Sequence, residues 1–167
     1  MNRDCARAFE KTFDAIQFLT FTALYEEDGL DFDKEKLIRF QKELTDIDKL
    51  SRKKENYASL FKKIKTEHGI DCEKMAKDFP YISKMKIAGF NKRKGKAIET
   101  VVGCESALEV FFVIFSYELL NGFGYTKDDV MKCYEKIKEN AMLYRQGMTN
   151  EFVQQFFKEY ADLTITM

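Results

Sequence analysis

Residues that break secondary structure are scarce in this chain, and their scarcity is what most constrains its fold. The 167 residues include one proline, Pro80, and eight glycines, so long stretches run without a helix breaker. Within those stretches, apolar residues recur every three or four positions, which places them on one face of an α-helix. Charged residues make up 34% of the chain, as amphipathic helices require. The sequence therefore predicts an all-α fold.

Apolar spacing and end signals together place a series of helices along the chain. The predicted helices run approximately over residues 3–25, 33–47, 57–68, 71–79, 97–119, 126–141 and 149–160. The helix that begins near Ala97 is apolar over much of its circumference, so it is predicted to be the central and most buried one. Residues 84–96 are predicted to form a loop or a short helix. We expect a helical bundle of six to eight helices in a single domain, 1–167.

Two segments read alike when they are laid over each other about 93 residues apart. Residues 24–39 correspond to residues 117–132, and both contain a helix end, a glycine turn, an aromatic residue and the start of a new helix. The glycines are Gly29 and Gly122. Identities are few, so duplication and convergence on common connection chemistry both explain the likeness.

A duplication would divide the chain into two pseudo-repeated three-helix units. The units would be residues 3–70 and 97–162, with a middle insert at 71–96. A unit that cannot bury its own apolar face would pack against its copy, which predicts a pseudo-twofold bundle. The function would then belong to what differs between the halves.

The same stretches, residues 24–44 and 119–153, resemble small uncharacterised helical proteins encoded by phages and mobile elements of Gram-positive gut bacteria. The resemblance lies in the patterns LYEEDGLDFDKEKLIRF and LLNGFGYTKDDV, and it covers roughly half of the chain. This chain departs from the family in being doubled and in carrying a basic middle segment. The family has no activity to transfer, so the resemblance implies only a phage-borne accessory protein.

Among the sequence features, the basic segment 84–96 gives the clearest indication of a binding site. Its six cations, with no acid among them, are Lys84, Lys86, Lys92, Arg93, Lys94 and Lys96. Tyr81 and Phe90 lie before and within the run, as in surfaces that contact nucleic-acid backbones and bases. Two interpretations stay open: a phosphate-contacting surface for DNA or RNA, or a solvated loop that at most meets an acidic protein partner.

Charge and motifs indicate no enzyme class. Lys plus Arg and Asp plus Glu both total 28, so a globally basic nucleic-acid binder is not indicated. His68 is the only histidine, and no zinc, triad or phosphate-loop motif surrounds it. The cysteines lack metal or disulfide spacing and are predicted to be reduced core residues: Cys5, Cys72, Cys104 and Cys133. We predict a protein that is not an enzyme, with no cofactor or metal.

These inferences lead to one leading function hypothesis and two alternatives. No signal peptide is read at the N-terminus and the most apolar stretch, Val110–Phe115, is too short to span a membrane, so a cytoplasmic location in a bacterial host is expected. The leading hypothesis is a non-enzymatic accessory protein that binds a host or defence protein, as an inhibitor such as an anti-CRISPR or as a regulator. The alternatives are a nucleic-acid-binding regulator that uses residues 84–96 and a small enzyme with an unrecognised pocket. Homo-oligomerisation stays open.

Overall fold

The computed structural model of the protein describes residues 3–80 and 97–145, which are helical and contain no strand. The described α-helices are α1 (Arg3–Tyr25), α2 (Lys34–Ser51), α3 (Lys54–His68), α4 (Cys72–Asp78), α5 (Ala97–Tyr117) and α6 (Lys127–Arg145). A π-helical turn, Glu118–Gly122, continues α5. The predicted all-α fold is therefore confirmed. The basic segment 84–96 and the predicted helix 149–160 lie outside the described residues.

The helix ends follow from local side-chain chemistry. Asp33 caps α2 by accepting a hydrogen bond from the Lys36 amide at 2.8 Å. At the start of α6, the Asp129 amide donates to Thr126 Oγ1 at 3.3 Å, and the Thr126 amide donates back to Asp129 Oδ2 at 3.0 Å. Gly69 ends α3 in the left-handed conformation with φ of 66°, which glycine adopts without a steric penalty.

Helix α5 is the centre of the fold, as its apolar circumference predicts. It packs against α1, α2, α3 and α4, and its rings Phe111, Phe112 and Phe115 have no exposed surface. Burial of such rings is the main contribution to the stability of a core of this kind. The described ranges contain no helix with the length and apolar content needed to cross a bilayer.

Helices α1 and α5 run parallel at close range. Gly103 of α5 faces the carbonyl of Cys5, where an added Cβ would lie 2.4 Å from the oxygen, so a glycine permits this approach. Further along, the rings of Phe13 and Phe111 meet edge to face at 5.5 Å. The contacts therefore advance in the same direction on both helices, and the connections that follow α1 and α5 reach the same end of the bundle.

The two helix connections meet at that end of the bundle. The first connection, residues 26–33, contains the ring of Phe32, and the second, residues 118–126, contains the rings of Phe123 and Tyr125. Phe32 lies 5.1 Å from Phe123 and stacks on Tyr125 at 6.0 Å, measured between ring centroids. The candidate site lies at this junction.

Candidate functional site

The π-helical turn at the end of α5 is where the candidate site begins. In this turn the Phe123 amide donates to the Glu118 carbonyl at 3.1 Å, five residues back instead of the four of an α-helix. Such wide turns are rare and are found frequently at functional sites. The turn places the side chain of Glu118 inside the protein, where only 2% of the residue is exposed.

Glu118 meets a second carboxyl group, that of Glu43 on α2. The two carboxyl groups lie within hydrogen-bonding reach of each other. Glu43 Oε2 and Glu118 Oε1 are both buried, and neither finds a donor among the described residues. Since two ionised carboxylates have no hydrogen to share, a hydrogen bond between them requires a proton on one of the two groups.

Burial decides which carboxyl carries the proton. Desolvation, followed by the hydrogen bond to Glu43 and the charge of Glu43, raises the pKa of Glu118 to about 8. The pKa of Glu43 is lowered, first by the hydrogen bond from Glu118 and also by Arg39. At neutral pH the pair is therefore a protonated Glu118 that donates to an ionised Glu43.

Arg39 joins this pair to the protein surface. Its Nε donates to Glu43 Oε1 at 2.9 Å, and its Nη2 donates to the carbonyl of Gly122. The guanidinium carbon lies 4.2 Å from the centroid of the Phe123 ring, in a cation–π contact. About half of the side chain, 51%, remains exposed. Arg39 thus connects α2 to the π-helical turn while presenting part of its guanidinium to solvent.

The Phe123 ring that carries Arg39 belongs to a small group of aromatic residues near the surface. Phe123 and Tyr125 are partly buried and stack on each other at 6.3 Å with an interplanar angle of 23°. Lys36 lies over the buried ring of Phe32, with its Nζ 5.8 Å from the ring centroid. We name the surface formed by Lys36, Arg39, Phe123 and Tyr125 the connection surface.

The first connection is held in a different way, by a lysine. Lys136 of α6 contacts Glu26 Oε2 and Asp28 Oδ2, each at 2.8 Å, and Glu139 at 3.1 Å. Its side chain is only 15% exposed. The hydrogen bond to Asp28 is the main cause that raises the pKa of Lys136, and the same bond lowers the pKa of Asp28. This connection is closed by opposite charges.

Burial keeps three thiols of the core in their protonated form. Burial raises the pKa of Cys72 to about 12, and burial also raises the pKa values of Cys104 and Cys133. A thiol must ionise to act as a nucleophile, so these three are unreactive at neutral pH. Within the described ranges, no group of three or more His, Cys, Asp and Glu side chains is placed to hold a metal ion.

Sequence reasoning found neither the pair nor Arg39. The six basic residues predicted as a binding site, Lys84 to Lys96, lie outside the described residues, so the structure neither brings them together nor separates them. One signal for Glu118 was present, because it is an acid in the apolar run that ends α5. Glu43 lies in a strongly charged helix, where nothing in the sequence sets it apart.

Comparison with known proteins found no relative of this chain. The chain matches no family model, no curated protein and no solved structure. Function is therefore argued from the chemistry of the site itself.

Proposed function

We propose that this protein is a non-enzymatic interaction protein that binds a protein partner through the connection surface. The supporting observation is Arg39, which lies half exposed on the ring of Phe123 with Tyr125 beside it. Arginine and aromatic side chains are enriched at the residues that dominate binding energy in protein interfaces. Their combination on one small surface favours a protein partner.

Arg39 is ordered before any partner arrives. Glu43, the Gly122 carbonyl and the Phe123 ring each hold it in place. Immobilising a long side chain on binding costs about 0.5–1.5 kcal/mol, and a side chain that is already fixed avoids much of that cost. The surface is therefore preorganised for recognition.

The exposed guanidinium and rings also indicate the chemistry of the partner. A planar guanidinium pairs with a carboxylate through two parallel hydrogen bonds, whereas stacked rings favour an apolar side chain. We therefore propose a partner that presents an acidic residue beside an apolar one. The resemblance of residues 24–44 and 119–153 to phage-encoded proteins supports a narrower version, in which the partner is a host or defence protein that is inhibited or regulated.

A duplicated origin of the two halves is part of the proposal. Phe32 and Tyr125 correspond under the shift of about 93 residues, and their rings stack on each other. Residues near a twofold axis contact their own counterparts, so this contact is what a pseudo-twofold pairing of the halves would produce. In that arrangement the connection surface lies beside the axis and takes side chains from both halves.

The test is site-specific photocrosslinking in a lysate of a Gram-positive gut bacterium, followed by binding measurements with the purified partner. A photoreactive phenylalanine analogue replaces Tyr125, and the control places it at the exposed Lys49 on the same helix as Arg39. Crosslinks to one protein from position 125 alone would support the proposal. Equal crosslinks from both positions would contradict it.

Matched variants then test the role of the guanidinium. Arg39→Gln is compared with Arg52→Gln, because Arg52 is an exposed arginine that pairs only with its helix neighbour Asp48 in the described contacts. We expect Arg39→Gln to weaken partner binding at least about tenfold, as loss of a dominant interface residue does. Arg52→Gln should leave binding unchanged, and equal effects of the two substitutions would overturn the proposal.

A nucleic-acid partner is the competing outcome. It would use Lys84, Lys86, Lys92, Arg93, Lys94 and Lys96. Fluorescence anisotropy with duplex DNA and single-stranded RNA at two salt concentrations separates the two, because each neutralised phosphate contributes about −0.9 to the log–log salt slope on duplex DNA. Binding with a steep slope that charge reversal at Lys92, Arg93 and Lys94 removes would replace the proposed function with this one.

A further inference from the structure

We propose that the Glu43–Glu118 pair is a proton-operated latch for the connection surface: a single shared proton holds the π-helical turn against α2, and loss of that proton opens the turn. The latch itself depends only on the geometry of the pair. Its consequence, regulation of partner binding by pH, rests on the proposed function.

The carboxyl group of Glu118 is tightly enclosed, and the proposed latch depends on this enclosure. Glu43 lies on one side, and on the other the turn's own Gly122 is so close that an added Cβ would lie 2.4 Å from Glu118 Oε1. One oxygen of each group, Glu43 Oε2 and Glu118 Oε1, is buried with no hydrogen-bond donor among the other described residues. The hydrogen bond inside the pair is therefore the main polar link between the Glu118 side chain and its surroundings.

Few other charges act on the pair. Helix α2 supplies Glu43 and Arg39, with Lys42 acting on Glu43, and α3 brings Lys63 to 5.6 Å from the centroid of the neighbouring Tyr117 ring. Among the described residues, α6, which also packs on the turn, adds no charged group to those that act on Glu118. Arg39 carries a single positive charge, so it neutralises one ionised carboxylate of the pair and leaves a second one uncompensated.

Opening the turn releases the proton. In the closed state Glu118 keeps its proton up to about pH 8, whereas a solvated glutamic acid ionises near 4.5. Because opening then frees one proton, the opening equilibrium should rise by about tenfold per pH unit between pH 5 and 8 and level off above that range. The open state separates Phe123 from Arg39, so partner binding should weaken over the same pH range.

Two amides report the opening directly. The Phe123 amide donates to the Glu118 carbonyl at 3.1 Å, and the Tyr125 amide donates to the Leu119 carbonyl at 2.9 Å. Both bonds belong to the turn, so both amides become exchangeable with solvent when it opens. Their hydrogen exchange, corrected for the intrinsic pH dependence, measures the latch without any partner.

The experiment combines NMR of carboxyl carbons with hydrogen exchange on the full chain, in wild type, Glu118→Gln and the control Glu67→Gln, which changes an exposed acid. A glutamine at 118 keeps a donor for Glu43 and cannot ionise. We expect one glutamate in wild type to titrate near pH 8, and that titration to vanish only in Glu118→Gln. Protection of the two amides should fall by about tenfold per pH unit from pH 6 to 7 in wild type and stay constant in Glu118→Gln.

Two results would overturn the latch. The first is a wild-type spectrum in which every glutamate titrates below pH 6, which decides the matter even if Glu118→Gln does not fold. The second is amide protection that falls equally in wild type and Glu118→Gln. A confirmed latch without a crosslinked partner would leave the latch standing and remove the proposed function. A crosslinked partner whose affinity is constant from pH 6 to 8 would leave the proposed function standing and remove the regulation of binding by pH.

Discussion

The two helix connections, which a sequence shift of about 93 residues lays over each other, are closed by opposite chemistry. Lys136 of α6 and Glu43 of α2 are 93 residues apart in the sequence; Lys136 reaches the first connection and Glu43 reaches the second. Lys136 contacts the acidic side chains of Glu26 and Asp28, whereas Glu43 contacts Glu118. The first connection is held by attraction between charges, and the second depends on a proton. Only the second can respond to pH near neutrality.

The glycines of the two connections, Gly29 and Gly122, also differ in the atoms that surround them. A Cβ at Gly29 would lie 1.8 Å from the backbone carbonyl oxygen of Ala23, whereas a Cβ at Gly122 would meet the side chain of Glu118. Backbone cannot give way, but a carboxyl group can rotate at the cost of its hydrogen bond. A substitution at Gly29 therefore meets backbone that has no room to shift, whereas a substitution at Gly122 meets a side chain that can yield.

The largest expected effect is that of Gly29→Ala. Because the new methyl group overlaps backbone, we expect a loss of about 3 kcal/mol in the free energy of unfolding. Gly122→Ala should cost about 1 kcal/mol, since the Glu118 side chain can shift. Urea unfolding at pH 6 measures both. Equal losses at the two positions would break the comparison between a rigid and a yielding connection.

The next effect is the pH dependence of global stability. The pKa of Glu118 is raised from its ordinary 4.5 to about 8, so its contribution is complete below pH 4.5 and is lost as the pH rises to about 8. We expect wild type to lose stability relative to Glu118→Gln between pH 5 and 8, by about 1.4 kcal/mol per pH unit, which is the slope that release of one proton gives. Chemical unfolding at several pH values tests this, and parallel curves would contradict it.

The first connection should show the opposite sign. The pKa of Asp28 is lowered by its hydrogen bond to Lys136, so this contribution is present above the ordinary pKa of 3.8 and is lost as the pH falls through the lowered value. Lys136→Gln should cost about 1 kcal/mol at pH 7 and flatten the acid limb of the stability curve. The control is Lys138→Gln, which removes a pair within one helix. An unchanged acid limb in Lys136→Gln would argue against the assignment.

Much of the fold could be predicted because its determinants are local. The start of α2 at Asp33, the capping box of Thr126 and Asp129 and the stop at Gly69 each depend on a few neighbouring residues. The central position of α5 follows from its apolar circumference. The repeat, by contrast, is a statement about two distant segments with few identities, and it stays a prediction.

The candidate site could not be predicted because it joins residues that are far apart in the chain. Glu43 and Glu118 meet only after α2 packs against the end of α5, and the π-helical turn that aims Glu118 inward has no composition that sets it apart from an α-helix. Arg39 likewise reads as a solvent-facing cation of a charged helix. What the sequence does contain is the acid at the end of an apolar run, and a buried acid requires a partner or a proton.

The smallest expected change in stability, and the sharpest test of the comparison, comes from making the two connections alike. Glu43→Lys places an amine where Lys136 lies in the first connection, so Glu118 should ionise and pair with it. Its pKa should fall below 4.5, the NMR titration near pH 8 should disappear, and stability at pH 8 should stay within about 1 kcal/mol of wild type, because a new ion pair replaces the shared proton. Glu43→Gln is the control, since it removes the charge of Glu43 without adding a cation. If Glu118 still titrates near pH 8 in Glu43→Lys, its raised pKa comes from burial alone and the correspondence between positions 43 and 136 has no bearing on how the turn is held.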